Sequence, residues 1–261
     1  MLRIMTVGDV TSPAAAAALA QRLWDIRRHH RIDFLSVNAE NAGFIIGASA
    51  ETARLLLDKG ADVLTGGNHT LQNMSLHALL ESDERIIRPA NYPSEAPGLG
   101  YTVLAANGYR VLVINVLGRV HIEPVLDSPF TAVEKVLARE EGNYDIAILD
   151  IHAEASGEKM ALGVHFDGRL AAVYGTHTHV PTADLKILPN GTGYVTDVGM
   201  CGAEDGILGI SKESMLKRCL SAVPCRYTVA EGALYADAVI FTVDTATAHC
   251  TAVERVTLSL L

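Results

Sequence analysis

Metal-competent side chains recur in this sequence just after short apolar runs. After residues 2–7 comes Asp9; after 32–37 come Glu40 and Asn41; after 62–65 come Asn68 and His69. After 144–149 come Asp150 and His152, and after 170–174 come His177 and His179. If those runs are strands of an α/β fold, all five sets stand at strand carboxyl ends, the edge where such folds bind ligands. Each piece alone has an ordinary reading. Asp9 could cap a helix or sit in a turn, Glu40-Asn41 could be a polar loop, and Gly66-Gly67-Asn68-His69 a glycine turn. His152 could be a satisfied core histidine. Gly175-Thr176-His177-Thr178-His179 is more specific, because alternate side chains of an extended segment point the same way. Imidazole is also the commonest side-chain metal ligand. Five coincidences in one chain outweigh the separate readings.

Asp9, Glu40, Asn41, Asn68, His152, His177 and His179 together offer two carboxylates, two amide oxygens and three imidazoles, with no thiolate. That mix suits manganese or iron, and allows zinc, rather than a cysteine-rich structural zinc. Seven ligands are too many for one catalytic ion that keeps an open position, but suit two divalent ions sharing a carboxylate. Two such ions, with Asp9, Glu40 and a bridging hydroxide, leave a local charge of about +1 that would draw a phosphodiester into an acidic protein.

The elements that must position these residues are legible in outline. Residues 2–7, 32–37 and 62–65 read as buried strands. A helix runs between the first two from Pro13 to His30, and another near 49–59 ends at Gly60. This rhythm is that of parallel α/β architecture. Later strands are expected at 101–106, 110–116, 144–150, 170–174, 194–198, 238–243 and 250–258. Asn107-Gly108 joins the first two of these as a hairpin, so the later sheet should be mixed. The Pro- and Gly-rich stretch 89–100 reads as a surface loop. No linker or repeat interrupts the chain, and residues 1–261 are expected to form one domain.

Composition narrows the function. A formal charge of −9 argues against a broad nucleic-acid or acidic-membrane surface. Cys201, Cys219, Cys225 and Cys250 form no C-x-x-C pair, so reduced thiols in a cytoplasmic protein are expected. No run reaches the 18 or so apolar residues of a membrane span. There is no G-x-G-x-x-G after the first strand and no Walker lysine motif, which removes the common nucleotide-binding enzymes. An amidohydrolase barrel would place its paired histidines after the first strand, whereas here they follow residue 170.

At this point the sequence resembles the YmdB-type calcineurin-like metallophosphoesterases. The resemblance rests on Gly8-Asp9-Val10, Asn38-Ala39-Glu40-Asn41-Ala42, Gly67-Asn68-His69, His152-Ala153-Glu154 and Gly175-Thr176-His177-Thr178-His179-Val180. Arg88-Pro89-Ala90-Asn91-Tyr92-Pro93 and Thr196-Asp197-Val198-Gly199-Met200 extend it almost end to end. It implies a four-layer α/β/β/α sandwich of two mixed sheets, cyclic 2′,3′-nucleotides as the substrate class, and a homo-oligomer. It further implies that Asp9, Asn41 and His179 hold one metal and Asn68, His152 and His177 the other. Glu40 would bridge the two, and His69 would be the proton donor. The expected chemistry is attack on phosphorus by a hydroxide bridging the ions, with His69 protonating the departing ribose oxygen. A regulatory scaffold that keeps the dimetal fold is the alternative.

The sequence departs from that family beside the motifs. Thr70-Leu71-Gln72 stands where Ile-Trp-Asp is usual, Thr11-Ser12-Pro13 replaces a glycine- and arginine-containing turn, and Ser156-Gly157 replaces Thr-Ser. None removes a ligand; all bear on substrate preference. Glu154 and Asp197 are candidates for orienting ligand imidazoles. Arg119 is a candidate phosphate contact or a turn residue. His29, His30, His77, His121, His165 and His249 carry no motif and read as ordinary surface or core histidines.

Overall fold

In the computed structural model, which describes residues 1–43 and 46–260, the apolar runs become the strands of two mixed sheets. Leu261, the last residue of the expected domain, lies outside the described residues. The first sheet contains β1 (Leu2–Val7), β2 (Asp9–Val10), β3 (Phe34–Asn38), β4 (Val63–Thr65), β11 (Met200–Ala203), β12 (Leu234–Val243) and β13 (Cys250–Ser259). β1, β3 and β4 run parallel, while β12 lies antiparallel between β13 on one side and β1 followed by β11 on the other. The second sheet contains β5 (Tyr101–Ala106), β6 (Tyr109–Leu117), β7 (Ile146–His152), β8 (Ala172–Thr176), β9 (Lys186–Ile187) and β10 (Gly193–Val195). Its order is β5-β6-β7-β8-β10-β9, parallel from β6 to β10 with an antiparallel strand at each edge.

Strand side chains alternate between faces, and that alternation builds four layers. Leu2, Ile4, Phe34, Val63 and Phe241 from the first sheet meet Val111, Val113, Ile146, Ile148 and Tyr174 from the second. The intervening positions Met5, Val7, Leu35 and Ile240 face α1 (Pro13–His30), α2 (Ala50–Asp58) and α3 (His77–Ser82). Leu112, Ile114, Leu149 and Ile151 face α4 (Pro129–Arg139) and α5 (Ser156–His165). The expected α/β/β/α sandwich is the observed fold. The last helix, α6 (Lys212–Ser221), joins β11 to β12 and buries only Ser214.

Local signals account for the element ends. Ser12 Oγ accepts the Ala15 amide at 3.1 Å ahead of Pro13, a strong helix start. Ser49 and Thr52 form a reciprocal capping box on α2, which ends just before Gly60 at φ 119°. Asn107 and Gly108 both have positive φ, as the two-residue hairpin between β5 and β6 requires.

Residues 194–198, expected as one strand, instead divide between the sheets. Gly193–Val195 pairs with β8, and after Thr196–Gly199 the chain enters the first sheet at Met200. Gly199 makes that passage at φ 108°, with its amide donated to Asp197 Oδ1 at 3.0 Å. The strands expected at 144–150 and 170–174 each end two residues later, so His152 and Thr176 are strand residues rather than loop residues. The four helices α3 to α6 have no counterpart in the sequence reading.

Candidate metal centre

The carboxyl ends of β1, β3, β4, β7 and β8 meet at one edge, and all seven expected ligands lie there. Asp9, Glu40, Asn41 and His152 are buried, with Asp9 and His152 wholly inaccessible. Asn68 and His177 are half-buried. Ligand atoms bound to one ion at about 2.1 Å lie roughly 3–3.5 Å from one another. His152 Nε2 is 3.1 Å from Asn68 Oδ1 and 3.2 Å from His177 Nδ1, so these three already stand at ligand spacing. His179 Nε2 is 3.3 Å from the Asn41 amide and 3.8 Å from Asp9 Oδ1. Glu40 Oε1 lies between the groups, 3.6 Å from His152 Nε2 and 2.5 Å from Asn41 Nδ2. A half-turn of the Asn41 amide would present its oxygen there instead of its nitrogen.

Contacts on the outer side of each imidazole bear on which nitrogen faces inward. His152 Nδ1 meets Thr176 Oγ1 at 3.0 Å, and that hydroxyl donates its own proton to Asp150 Oδ1 at 2.7 Å. The hydroxyl therefore accepts from His152, which leaves Nε2 as the free lone pair. His177 Nε2 faces Glu154 Oε2 at 3.1 Å, freeing Nδ1, and His179 Nδ1 faces the Leu208 carbonyl at 3.0 Å, freeing Nε2. His152 Nε2 and His177 Nδ1 thus face each other, while His179 Nε2 faces Asn41 and Asp9, the kind of outer anchoring that fixes a metal-binding tautomer.

Asp9 Oδ1 supplies a second sign. Among the described residues it is the buried side-chain polar atom that has no hydrogen-bond partner. Its other oxygen accepts the His177 amide at 3.0 Å. Burial, followed by the nearby carboxylates of Asp197 and Glu40, pushes the Asp9 carboxyl well above its usual range. An orphaned oxygen in a cluster of anions is a place for a cation, and the donor set fits divalent metal ions. Glu40, His152 and His177 offer ligand atoms all within 4.8 Å of one another.

His69 differs from the other three histidines. Its Nδ1 sits between two acceptors, Glu40 Oε1 at 3.0 Å and Asn41 Oδ1 at 2.9 Å. Its amide also donates to Glu40 Oε2 at 2.9 Å. Burial alone would lower its pKa, but the hydrogen bond and charge of Glu40 outweigh that and raise it. Burial lowers His152, His177 and His179 and keeps them neutral. Burial also raises Glu40, yet His152 and His69 bring it down to about 2. Because His152 is held neutral, His69 is the partner that matters for Glu40.

The backbone is strained where it presents the paired ligands. His177 and His179 adopt φ of 99° and 62°, which for residues with a Cβ costs on the order of 1–3 kcal/mol each. Glycines make room beside them: a Cβ on Gly67 would stand 2.4 Å from the His152 ring, and one on Gly175 only 1.8 Å from the Thr196 carbonyl.

A cavity of about 480 Å³ opens at this edge, lined by Glu40, Asn41, His69, His177 and His179 together with Leu208, Ile210 and Tyr227. Two hollows of about 840 Å³ lie elsewhere, by Leu80–Arg85 and by Arg226–Gly232. Chemistry rather than size selects the smaller one.

Several contributors were not legible beforehand. Asp150 accepts Thr65 Oγ1 at 2.5 Å, Thr176 Oγ1 at 2.7 Å and Asn38 Nδ2 at 3.1 Å, tying both sheets together beneath the ligands. Glu154 orients His177 as expected, but Asp197 touches no imidazole; it holds the Thr178 amide at 3.1 Å. Arg119 is a turn residue whose amide donates to Glu158, and it does not line the cavity.

Two sheets in four layers, with a ligand-bearing strand edge, define a fold of the metallophosphoesterase type. Residues 5–256 match the family model described as YmdB-like protein, and the chain belongs to that family. It is 39% identical over 255 residues to the 2′,3′-cyclic-nucleotide 2′-phosphodiesterase of Bacillus subtilis (strain 168), covering 98% of this chain and 96% of that protein. A hypothetical protein from Thermus thermophilus superimposes with a TM-score of 0.91 at 38% identity, covering 99% of both chains. A phosphatase from Mycoplasma pneumoniae gives the same TM-score at 29% identity, covering 99% of this chain and 93% of its own.

Proposed function

We propose that this chain is a metal-dependent phosphodiesterase of small phosphodiesters, with 2′,3′-cyclic nucleotides as its substrate class. The observation that carries the reading is the meeting of Glu40, His152 and His177 with their ligand atoms within 4.8 Å of one another, beside the orphaned Asp9 oxygen. Asp9, Asn41 and His179 would hold one divalent ion, Asn68, His152 and His177 the other, and Glu40 would reach both. Manganese or iron suits these donors best. A bound pair of such ions supplies a nucleophile from water near neutral pH and neutralises charge on the phosphoryl oxygens.

The chain's own residues do the rest. Glu40 holds the His69 ring by its Nδ1–H, which leaves Nε2 without a partner among the described residues on a side chain that lines the cavity. Protonated there, His69 can hand a proton to the departing ribose oxygen. Leu208, Ile210 and Tyr227 add apolar lining to the cavity, suited to the flat face of a nucleobase. The substrate class is supported by the similarity to the Bacillus subtilis 2′,3′-cyclic-nucleotide 2′-phosphodiesterase.

The test is hydrolysis of 2′,3′-cyclic AMP by metal-stripped protein, with and without manganese, beside the 3′,5′ isomer. Manganese-dependent turnover selective for the 2′,3′ compound is expected. Two ions bound without turnover of either isomer would sink the substrate assignment.

A further inference from the structure

We propose that Lys159 and Asp197 form a buried positioning pair that sets the backbone of the metal-presenting turn. Lys159 lies on α5 and is completely inaccessible. Its ammonium donates to the Thr176 carbonyl and to Asp197 Oδ2, each at 2.7 Å. The same Asp197 oxygen accepts the Thr178 amide at 3.1 Å. These contacts fall on both sides of His177. The Thr176–His177 peptide is held at its oxygen by Lys159 and at its N–H by Asp9, at 3.0 Å. The His177–Thr178 peptide is held at its N–H by Asp197.

Two peptide planes define the torsions of the residue between them, so the pair fixes His177 at its φ of 99°. A strained residue persists only where its surroundings over-determine it. The pair does not act as a generic staple, because a buried ion pair gives fold stability no better than apolar packing of the same volume. What it adds is a defined position for His177 and, one residue beyond Thr178, for His179. Gly175 leaves room for it, since a Cβ there would lie 2.7 Å from Lys159 Cδ.

The inference rests on the reading of His177 and His179 as ligands, and its test reads metal binding rather than turnover. Manganese alone is titrated into metal-stripped wild type, Lys159→Met and the double variant Lys159→Met/Asp197→Asn. Thermal melting of each metal-free protein and the magnetic coupling of the bound ions are recorded alongside. The carboxamide that replaces Asp197 can still accept the Thr178 amide. Removing both charges together leaves no unpaired buried ion, so the double variant covers failure of the single one to fold. Cooperative metal-free melting is expected in the variants, with manganese affinity weakened roughly 10–100-fold and the coupled signal lost. Wild-type affinity and coupling in a folded variant would overturn the proposal. Failure of both variants to fold would overturn it too, because the pair would then hold the fold rather than the ligands. No manganese bound by wild type would instead remove the dimetal reading on which it stands.

Discussion

His69 and its three neighbouring histidines show how one side chain acquires two chemistries. His152 and His179 each donate one N–H outward, and burial keeps His152, His177 and His179 neutral. His69 donates toward Glu40, is about one quarter exposed, and holds its second proton more firmly than a free histidine. A raised folded pKa means that the stabilisation from the His69–Glu40 contact is full below the unfolded value and fades as pH climbs through the folded one. The same sign applies to catalysis, because a general acid must enter the reaction protonated. Activity should therefore fall on the alkaline side as His69 loses its proton. His69→Ala should lower kcat by roughly 10²–10⁴-fold with both ions retained, and should abolish that alkaline limb. A pH–rate profile on 2′,3′-cyclic AMP with metal analysis checks both. An unchanged limb would assign it to another group.

At the scale of elements, the site depends on strands ending in step and on helices that place buried polar groups under them. A Cβ on Gly67, after β4, would stand 2.4 Å from the His152 ring at the end of β7, so the loop and the ring leave no room for a side chain between them. Gly67→Ala should displace that ring and weaken metal binding roughly 10–100-fold, while metal-free melting changes little. Calorimetric titration with manganese would show it; unaltered affinity would mean the loop shifts without moving the ring. Strand ends of this kind were legible because parallel buried strands are continuous apolar runs and their ligands follow directly. Lys159 was not legible. In sequence it stands between Gly157 and Gly163 with no motif around it, and its meaning lies in Asp197 on a distant segment. Asp150 was noticed only as a strand-end acid. Its partners Asn38, Thr65 and Thr176 come from three other strands, so the inter-sheet junction exists only once both sheets are assembled. The division of 194–198 was hidden because apolar residues continue through Val198 and Met200, and the switch between sheets is set by the Asp197–Gly199 turn.

For the whole molecule, a formal charge of −9 and a carboxylate cluster at the strand edge make cations a natural component of its stability. Ions that bind only the folded chain add about 2.7 kcal/mol when present at a hundred times their Kd. For a chain of this length that corresponds to an increase of roughly 5–10 °C in Tm. Scanning calorimetry with manganese, and again after chelation, should show the gain and its reversal; a Tm indifferent to metal would count against a preformed site. Among the described residues no helix is long and apolar enough to cross a membrane, and the four cysteines form no disulfide.

The strand order also sets a schedule for synthesis. β1 is an inner strand of the first sheet, and one of its edges is covered only when β12 pairs Leu2 with Val243 through Val7 with Ala238. A chain made from its amino end must carry residues 2–7 half-paired until nearly all the rest has emerged, roughly 10–50 s at ordinary elongation rates. Through most of that interval Asp9 is already made, while β11, the strand beside its own, is still missing. On the proposed ligand set, capture of metal would be a late event in the life of each molecule, and the newly made chain has an open β edge that needs shielding until its last strands arrive.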